Sequence, residues 1–315
     1  MVRYYLSRIG QALLTVILVI LVVFALLRFM PTSGYFNKED YKAMTEQDRQ
    51  NYLRSIGVLD PMPVQLMNFV TKLFHGDLGR SMIVYPKSQI ADILGEKIKY
   101  SAMINSMSLV LIYAVGLPLG VGMARRKGKL LDHLGTAYVI AIRSIPAIIM
   151  LYFVQVGLSQ IFGLPMMFYA NRPESWILPV ISLSLASIAG TAIWLRRYIV
   201  DEENRDYIKF ARVKGLSTNY IMWRHVFRNA IVPMSISFPA EILFLISGGL
   251  ITETLYSVPG MGGLLIRAIR SLDNNLVQIL VLLFAILSVV GVLLGDVLVS
   301  FVDPRIKLRA DPADN

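Results

Sequence analysis

Cysteine is absent from this chain of 315 residues, and charged residues are scarce. The missing cysteine excludes disulfides, thiolate metal ligands and cysteine nucleophiles. Charged residues make up 17% of the chain and hydrophobic residues 55%, whereas soluble globular domains have about 25% and about 45–50%. This composition indicates a membrane protein if the apolar residues form blocks long enough to cross a bilayer.

Common catalytic and nucleotide-binding patterns are missing as well. The three histidines, His75, His133 and His225, are far apart in segments of ordinary polarity, and no H-E-x-x-H occurs. A shared metal centre is therefore not indicated. The stretch "MARRKGKL", residues 123–130, lacks the first glycine and the final hydroxyl of the phosphate loop G-x-x-x-x-G-K-[ST]. These absences argue against a membrane enzyme and against an ATP site in this chain.

Six blocks of the sequence are long and apolar enough to cross a bilayer. A spanning helix needs roughly 20 mainly apolar residues. The blocks are Gly10–Phe29, Met103–Ala124, Leu134–Gly157, Ile177–Leu195, Ile231–Ile251 and Leu276–Phe301. The first follows Arg3 and Arg8 as a signal peptide would, but its apolar run is long and no A-x-A site follows. We expect it to be a retained span.

Lysine and arginine are unevenly distributed between these blocks. With the N-terminus in the cytoplasm, 17 of them fall in inside segments and 3 in short outside loops. Because cytoplasmic loops carry the excess of positive charge, we expect both termini to face the cytoplasm. The net charge of +10 then reflects these loops rather than nucleic-acid binding.

The predicted architecture is an all-α polytopic membrane protein with one long external loop. Residues 1–30 form the N-terminal segment and first span, 31–102 the extracytoplasmic loop, 103–301 a five-helix core, and 302–315 a cytoplasmic tail. In the external loop, Thr45 is positioned to cap a helix that stops near Gly57. A second helix opens after Asp60 and Pro61, and its apolar spacing predicts a small helical subdomain on the outer membrane surface.

The cytoplasmic loop 196–233 contains the stretch "DYIKFARVKG", which predicts a short helix capped by Asp206 and ended by Gly215. Ser217 or Thr218 then caps a second helix. Tyr207, Phe210, Ala211 and Lys214 share one face at i, i+3, i+4 and i+7. Two interpretations stay open: a basic amphipathic segment resting on anionic lipid, or a docking element that inserts into a cytoplasmic partner.

Polar residues inside the spans are costly and usually face a cavity or a partner. Glu241 lies in the fifth block, where it either lines a translocation path or bonds to a second subunit. Asn105 and Gln155 are weaker candidates for the path, since amides commonly join helices.

The stretch "ETLYSVPGMGG" is rich in glycine and proline and predicts a turn or re-entrant feature at the outer mouth. It is a candidate gate or binding-protein contact through Glu253, Pro259, Gly260, Met261 and Gly262.

Several short motifs occur along the chain in a fixed order. They are "RYYLSRIGQALLTVILV" (3–19), "HGDLGRS" (75–81), "KFARVKG" (209–215), "ETLYSVPGMGGLL" (253–265) and "DPR" (303–305). In order and content they resemble oligopeptide/dipeptide ABC transporter permeases of the OppB/DppB family, and "KFARVKG" resembles that family's EAA loop. Lys209 and Phe210 replace the usual Glu and Ala, and Gly215 to Pro233 is longer than the generic spacing.

The resemblance implies a type I ABC importer permease that forms half of a translocation path. It implies a second homologous permease subunit, two cytoplasmic ATPases that bind ATP and Mg, and an extracytoplasmic peptide-binding protein. This chain, in a bacterial plasma membrane, would hold no cofactor or metal of its own and bind no nucleic acid. The residues expected to contact the ATPases are Asp206, Tyr207, Phe210, Ala211, Lys214, Gly215 and Leu216. Nickel complexes, glutathione or opines are alternative cargoes, and a stand-alone channel or secondary transporter is an alternative class.

Overall fold

The computed structural model describes residues 2–302, and these residues are almost wholly helical. Within them there is no β-strand, only an isolated antiparallel bridge between Arg80 and Gln89. The α-helices are α1 (Val2–Leu27), α2 (Lys38–Ala43), α3 (Glu46–Ser55), α4 (Met62–Phe74), α5 (Ile90–Arg125), α6 (Leu130–Ser144), α7 (Ala147–Phe153), α8 (Ser159–Phe162), α9 (Ile177–Glu203), α10 (Asp206–Val213), α11 (Thr218–Tyr220), α12 (Arg228–Ala230), α13 (Val232–Ser235), α14 (Phe238–Ser247), α15 (Leu250–Tyr256), α16 (Met261–Ser271) and α17 (Asn274–Val302). Two 3₁₀ turns, Thr32–Tyr35 and Pro173–Trp176, and two π-helical turns, Val154–Leu158 and Ile221–Phe227, complete the set. The predicted motif 303–305 and most of the predicted tail lie outside the described residues.

Five helical segments in the described part of the chain are long and apolar enough to cross a membrane, and a bent pair makes a sixth. They are Leu6–Leu27, Ile90–Arg125, Pro173–Glu203, Phe238–Tyr256 and Asn274–Leu298, with the pair Leu130–Ser144 and Ala147–Phe162. The six predicted blocks are therefore present. Two of them are not single continuous helices.

The third block is broken rather than continuous. α6 and the helix that follows it meet at 110°. Pro146 causes the break, because a residue before proline is driven into extended backbone and Ile145 lies at φ −92°, ψ 130°. The helix restarts directly after the proline, where a missing N–H costs no helical hydrogen bond.

The fifth block begins later than predicted. Residues 231–237 form the short helix α13 and turns, and the apolar helix starts at Phe238. It is interrupted again at Gly248, whose φ of +71° lies in a region that side-chain-bearing residues rarely adopt. A Cβ at this position would also overlap the carboxylate of Glu253. The chain then continues as α15.

The centre of the fold is the packing of α5 against α9. Small residues allow the two backbones to approach: a Cβ added at Gly120 would lie 2.8 Å from the carbonyl oxygen of Ala192. A Cβ at Gly116 would lie 3.0 Å from the side chain of Thr191. This close approach is the usual way in which membrane helices gain packing energy, since lipid provides no hydrophobic drive between them.

The long loop between the first two spans contains the predicted helices. The Thr45 hydroxyl accepts a hydrogen bond from the Asp48 N–H, and the Asp48 carboxylate accepts one from the Thr45 N–H, which completes a capping box for α3. α4 rests on the first span, with the rings of Phe24 and Phe69 6.0 Å apart. The predicted cap of α3 is thus confirmed.

A buried carboxylate ties this loop to the last span. Asp273 is fully buried and accepts hydrogen bonds from the Ser81 hydroxyl at 2.6 Å and from the Ile83 and Val84 N–H groups at 3.0 Å each. A carboxylate with several donors tolerates burial that an unsatisfied one would not. The end of the motif "HGDLGRS" is therefore fixed on the start of α17.

Candidate functional site

The helix α10 carries the predicted docking surface. The prediction that Asp206 caps it is wrong, because Arg205 occupies the N-cap position and makes no side-chain cap bond. Asp206 is the first helical residue, and its carboxylate accepts a hydrogen bond from Lys209 Nζ at 2.8 Å. That bond holds the pKa of Asp206 below its usual value. The carboxylate also lies at the positive end of the helix dipole.

Gly215 ends α10 as predicted. Its φ is +76°, and the Gly215 N–H donates to the Arg212 carbonyl at 3.0 Å while the Leu216 N–H donates to the Ala211 carbonyl at 3.3 Å. This is the Schellman pattern that closes a helix C-terminus. The chain reverses there and begins a second helix at Ser217, whose hydroxyl accepts from the Tyr220 N–H. Ser217, rather than Thr218, is thus the cap.

One side of α10 is anchored in the protein. Ile208 is fully buried and Ala211 is 8% exposed, in an apolar cluster with Leu195 and Ile199 of α9 and with the π-helical turn 221–227. The side chain of Ala211 therefore does not face outward, which departs from its expected role as a contact residue. Its small size instead allows α10 to lie close to the turn.

The other side of α10 is apolar and open. Tyr207 is 40%, Phe210 69% and Val213 85% exposed, and Leu216 continues the surface beyond Gly215. We name Tyr207, Phe210, Val213 and Leu216 the docking face. Lys209, Arg212 and Lys214 are exposed around it. Val213 was not singled out from the sequence, although its place one turn after Lys209 and Phe210 was readable from the spacing.

The phenol of Tyr207 fixes α10 to the segments on either side. Its hydroxyl donates to the carboxylate of Glu202, at the end of α9, and accepts from Asn229 Nδ2 at 2.7 Å. Burial, and then the bond to Glu202, raise the pKa of Tyr207. The phenol accordingly stays protonated and acts as a neutral donor. The docking face is thereby held in one orientation relative to the spans.

Two of the three predicted path residues meet in one cavity. A cavity of about 290 Å³ lies between α5, α9 and α14, and Asn105 and Glu241 both line it together with Ser108, Ser187 and Thr191. Asn105 Nδ2 donates to the Leu245 carbonyl at 3.0 Å. We call this space the polar cavity. Gln155 does not line it: its amide is 5% exposed and donates to the Met166 and Leu255 carbonyls.

A second cavity, of about 820 Å³, follows the first along α5. Its lining includes Tyr113 and Pro118 of α5, the cationic pair Arg125 and Arg126, and Trp223. We call it the arginine cavity. The Tyr113 hydroxyl, which lines this second cavity, donates a hydrogen bond of 2.5 Å to Glu241 Oε2, which lines the first. Tyr113 was missed by the sequence reasoning, since nothing local marks a tyrosine whose partner is 128 residues away.

The stretch predicted as an outer gate is largely buried within the chain. Glu253 is 1% exposed; its carboxylate accepts from the Ser101 hydroxyl at 2.7 Å and from the Gly263 N–H at 3.0 Å. Met261 is fully buried, and a Cβ at Gly262 would lie 2.9 Å from the Leu250 nitrogen. Glu253 therefore joins α5, α15 and α16. The outward contact expected of it would have to be made by neighbours such as Pro259, which is half-buried.

The part of the chain that the structure describes forms no candidate metal site. Across residues 2–302, no group of three or more histidine, aspartate or glutamate side chains is gathered closely enough to hold an ion.

Known proteins resemble this chain in sequence. The pattern of the family "binding-protein-dependent transport system inner membrane component" matches residues 116–308, which is more than half of the chain. The oligopeptide transport system permease protein AmiC of Streptococcus pneumoniae serotype 4 is 41% identical over 211 residues, covering 66% of this chain and 42% of AmiC. The chain thus spans less than half the length of that relative.

Other relatives match from end to end. The dipeptide transport system permease protein DppB of Lactococcus lactis subsp. cremoris is 28% identical, with 98% of this chain and 100% of DppB covered. The glutathione transport system permease protein GsiC of Pectobacterium atrosepticum is 26% identical, with coverage of 98% and 100%.

A solved structure shares the fold of this chain. A crystal structure of an amino acid ABC transporter with histidines superposes with a TM-score of 0.51 at 18% identity, covering 68% of this chain and 94% of that one. At this identity the likeness concerns the fold alone, which is that of a type I importer permease. By its matching pattern, its relatives and its helical architecture, the chain belongs to the family of inner membrane components of binding-protein-dependent transport systems.

Proposed function

We propose that this chain is one of two homologous permease subunits of an ATP-driven importer, with peptides as its cargo. Two cytoplasmic ATPases would bind ATP and Mg and drive it, and an external binding protein would deliver the peptide. Relatives named for oligopeptide and dipeptide transport favour peptides. A relative named for glutathione transport makes glutathione, itself a small peptide, the leading alternative, with nickel complexes and opines behind it.

The docking face of α10 carries this proposal. Phe210 and Val213 are apolar and exposed on a helix whose other side is fixed in the core by Ile208. An exposed apolar patch on a rigid support is typical of a protein interaction site. A partner that grips this face would move α10 and, through the shared cluster, α9, as a rigid body.

Gly215 offers a test with a matched control. Gly215→Asp and Gly215→Asn add side chains of nearly equal size, and both residues tolerate the left-handed backbone better than other types. Only aspartate adds a charge beside the docking face. The complex, reconstituted with its partner permease, ATPases and binding protein, would be assayed for ATP hydrolysis and for uptake of labelled peptide.

We expect Gly215→Asp to stay in the membrane but to hydrolyse ATP without matching uptake, while Gly215→Asn retains most uptake. Normal, ATP-coupled uptake by Gly215→Asp would contradict docking at this surface. Vesicles with and without anionic lipid test the other interpretation, in which the segment rests on anionic lipid. In that case the uptake by both variants should depend on the charge of the lipid. Uptake by this chain alone, driven by an ion gradient, would instead indicate a secondary transporter.

A further inference from the structure

Two cavities follow one another along α5, and a hydrogen bond joins a lining residue of one to a lining residue of the other. Asn105, Ser108 and Ile112 line the polar cavity, and the next residue, Tyr113, begins the lining of the arginine cavity. Across this boundary the Tyr113 hydroxyl donates to Glu241 Oε2 at 2.5 Å. The ring of Phe238 packs edge-on against Tyr113 with centroids 5.9 Å apart.

The charges of the two cavities are opposite. Among the described residues, Glu241 is the only ionisable one in the lining of the polar cavity, whereas Arg125 and Arg126 lie in the lining of the other. Among the side chains that the structure describes (6–37 and 39–298), no lysine, arginine or histidine forms an ion pair with Glu241. Its described donors are the hydroxyls of Tyr113 and Ser237. A carboxylate at membrane depth is costly without a cation, so a cation from outside this chain would stabilise it.

We propose that the polar cavity binds the protonated amine of the transported substrate through Glu241, and that the Tyr113–Glu241 bond is a charge-selective constriction between the two cavities. This inference rests on the proposed function. The polar cavity offers one carboxylate, the amide of Asn105 and three hydroxyls, a lining that suits an ammonium group.

The absence of cysteine makes a direct test available, since any thiol placed in this chain is unique within it. Ser187→Cys reports on the polar cavity, where Ser187 is exposed, and Leu131→Cys reports on the arginine cavity. The assembled complex in vesicles would be treated with a cationic and an anionic methanethiosulfonate reagent of similar size. Labelling of this chain is then followed by its mass.

We expect the cationic reagent to label Ser187→Cys about tenfold faster than the anionic one, as charged clefts concentrate counter-ions. Glu241→Gln should abolish this preference, since glutamine keeps the size and the acceptor for Tyr113 but removes the charge. Leu131→Cys should show the opposite preference. Equal rates at Ser187→Cys, or a preference that survives Glu241→Gln, would overturn the amine site. A thiol at 187 that no reagent reaches would mean that the second permease covers it, and would also overturn the proposal.

The constriction has a separate readout. Tyr113→Phe keeps the ring against Phe238 but removes the hydrogen-bond donor. A reagent that enters through the polar cavity must pass this constriction to label Leu131→Cys in the arginine cavity. Labelling of Leu131→Cys by this route should therefore become several-fold faster. An unchanged rate would show that the hydrogen bond is only a tie between helices. None of these rates requires ATP or transport. A failure here, with peptide uptake intact, would therefore refute this inference and leave the proposed function standing.

Discussion

Arg196 donates two hydrogen bonds to Asp132, from Nε to Oδ1 at 2.5 Å and from Nη2 to Oδ2 at 2.7 Å. This fork joins α6 to α9 a short distance before α9 leads into α10. The Gly128 N–H also donates to Asp132 Oδ2 at 2.8 Å, so the loop between α5 and α6 is held by the same carboxylate. The ion pair thus braces the spans next to the docking face.

Removing the arginine should cost more than removing the carboxylate. The side chain of Asp132 is 6% exposed and that of Arg196 is 24% exposed. Arg196→Leu leaves a buried charge unpaired, and we expect the free energy of unfolding to fall by about 3–5 kcal/mol. Asp132→Asn leaves an arginine that reaches water and should cost less. Equal losses in a denaturation series on the purified protein would contradict this asymmetry.

Ile208 and Phe210, two residues apart on α10, should separate stability from coupling. Ile208 is buried, so Ile208→Ala should lower the free energy of unfolding by about 2–5 kcal/mol. Phe210 is largely exposed, so Phe210→Ala should change it by no more than about 0.5 kcal/mol yet reduce coupled uptake. Thermal unfolding and uptake by the reconstituted complex measure the two effects. Wild-type uptake by Phe210→Ala would show that the docking face makes no productive contact.

The contact between α5 and α9 allows a matched pair of glycine substitutions. Gly120→Ala places a methyl group 2.8 Å from the Ala192 carbonyl oxygen, and the overpacking should cost about 1–3 kcal/mol. At Gly190, on α9, an added methyl group would meet no heavy atom within 4 Å beyond its own stretch of helix. Gly190→Ala should therefore stabilise the helix by about 0.5–1 kcal/mol. Opposite shifts of the thermal midpoint are expected, and shifts of the same sign would contradict the close approach.

Asp273 should be needed to hold the loop between the first two spans. Asp273→Ala removes the acceptor for the Ser81 hydroxyl and the N–H groups of Ile83 and Val84. Each such donor left unsatisfied costs about 1–3 kcal/mol, so the turn should open before the spans do. Limited proteolysis near residue 83 measures this, with faster cleavage expected than in Asp273→Asn, which retains one acceptor oxygen. Unchanged cleavage in both variants would mean that the turn is held by other contacts.

Local patterns predicted the features that depend on near neighbours. The apolar blocks predicted the spans, and Thr45, Ser217 and Gly215 were recognisable because caps and left-handed turns depend on a few adjacent residues. A proline at position 146, inside the third block, can be read from the sequence, but the angle of 110° at the break cannot, since the angle depends on what the second half of the helix packs against. Asp206 failed as a cap because the helix begins one residue earlier than expected, which leaves Arg205 at the N-cap position.

Long-range pairs account for what the sequence did not reveal. Ser81 and Asp273 are 192 residues apart, and Tyr113 and Glu241 are 128 apart. No periodicity or spacing connects such positions, so their contacts appear only in the folded chain. Glu253 is a related case. Its acidic side chain in a glycine-rich stretch suggested an outward role, whereas the surrounding N–H groups and Ser101 provide the donors that permit burial.

The buried side of α10 has a thermodynamic consequence. Ile208 shares one apolar cluster with Leu195 and Ile199 of α9, so the two helices form a single packed unit. If nucleotide bound to the proposed ATPases biases the position of that unit, then by linkage the position of the unit also changes the affinity for nucleotide. If cargo held among the spans also favours one position of the unit, it changes the affinity for nucleotide by the same factor that nucleotide changes the affinity for cargo, and an empty transporter would then bind ATP with a different strength from a loaded one.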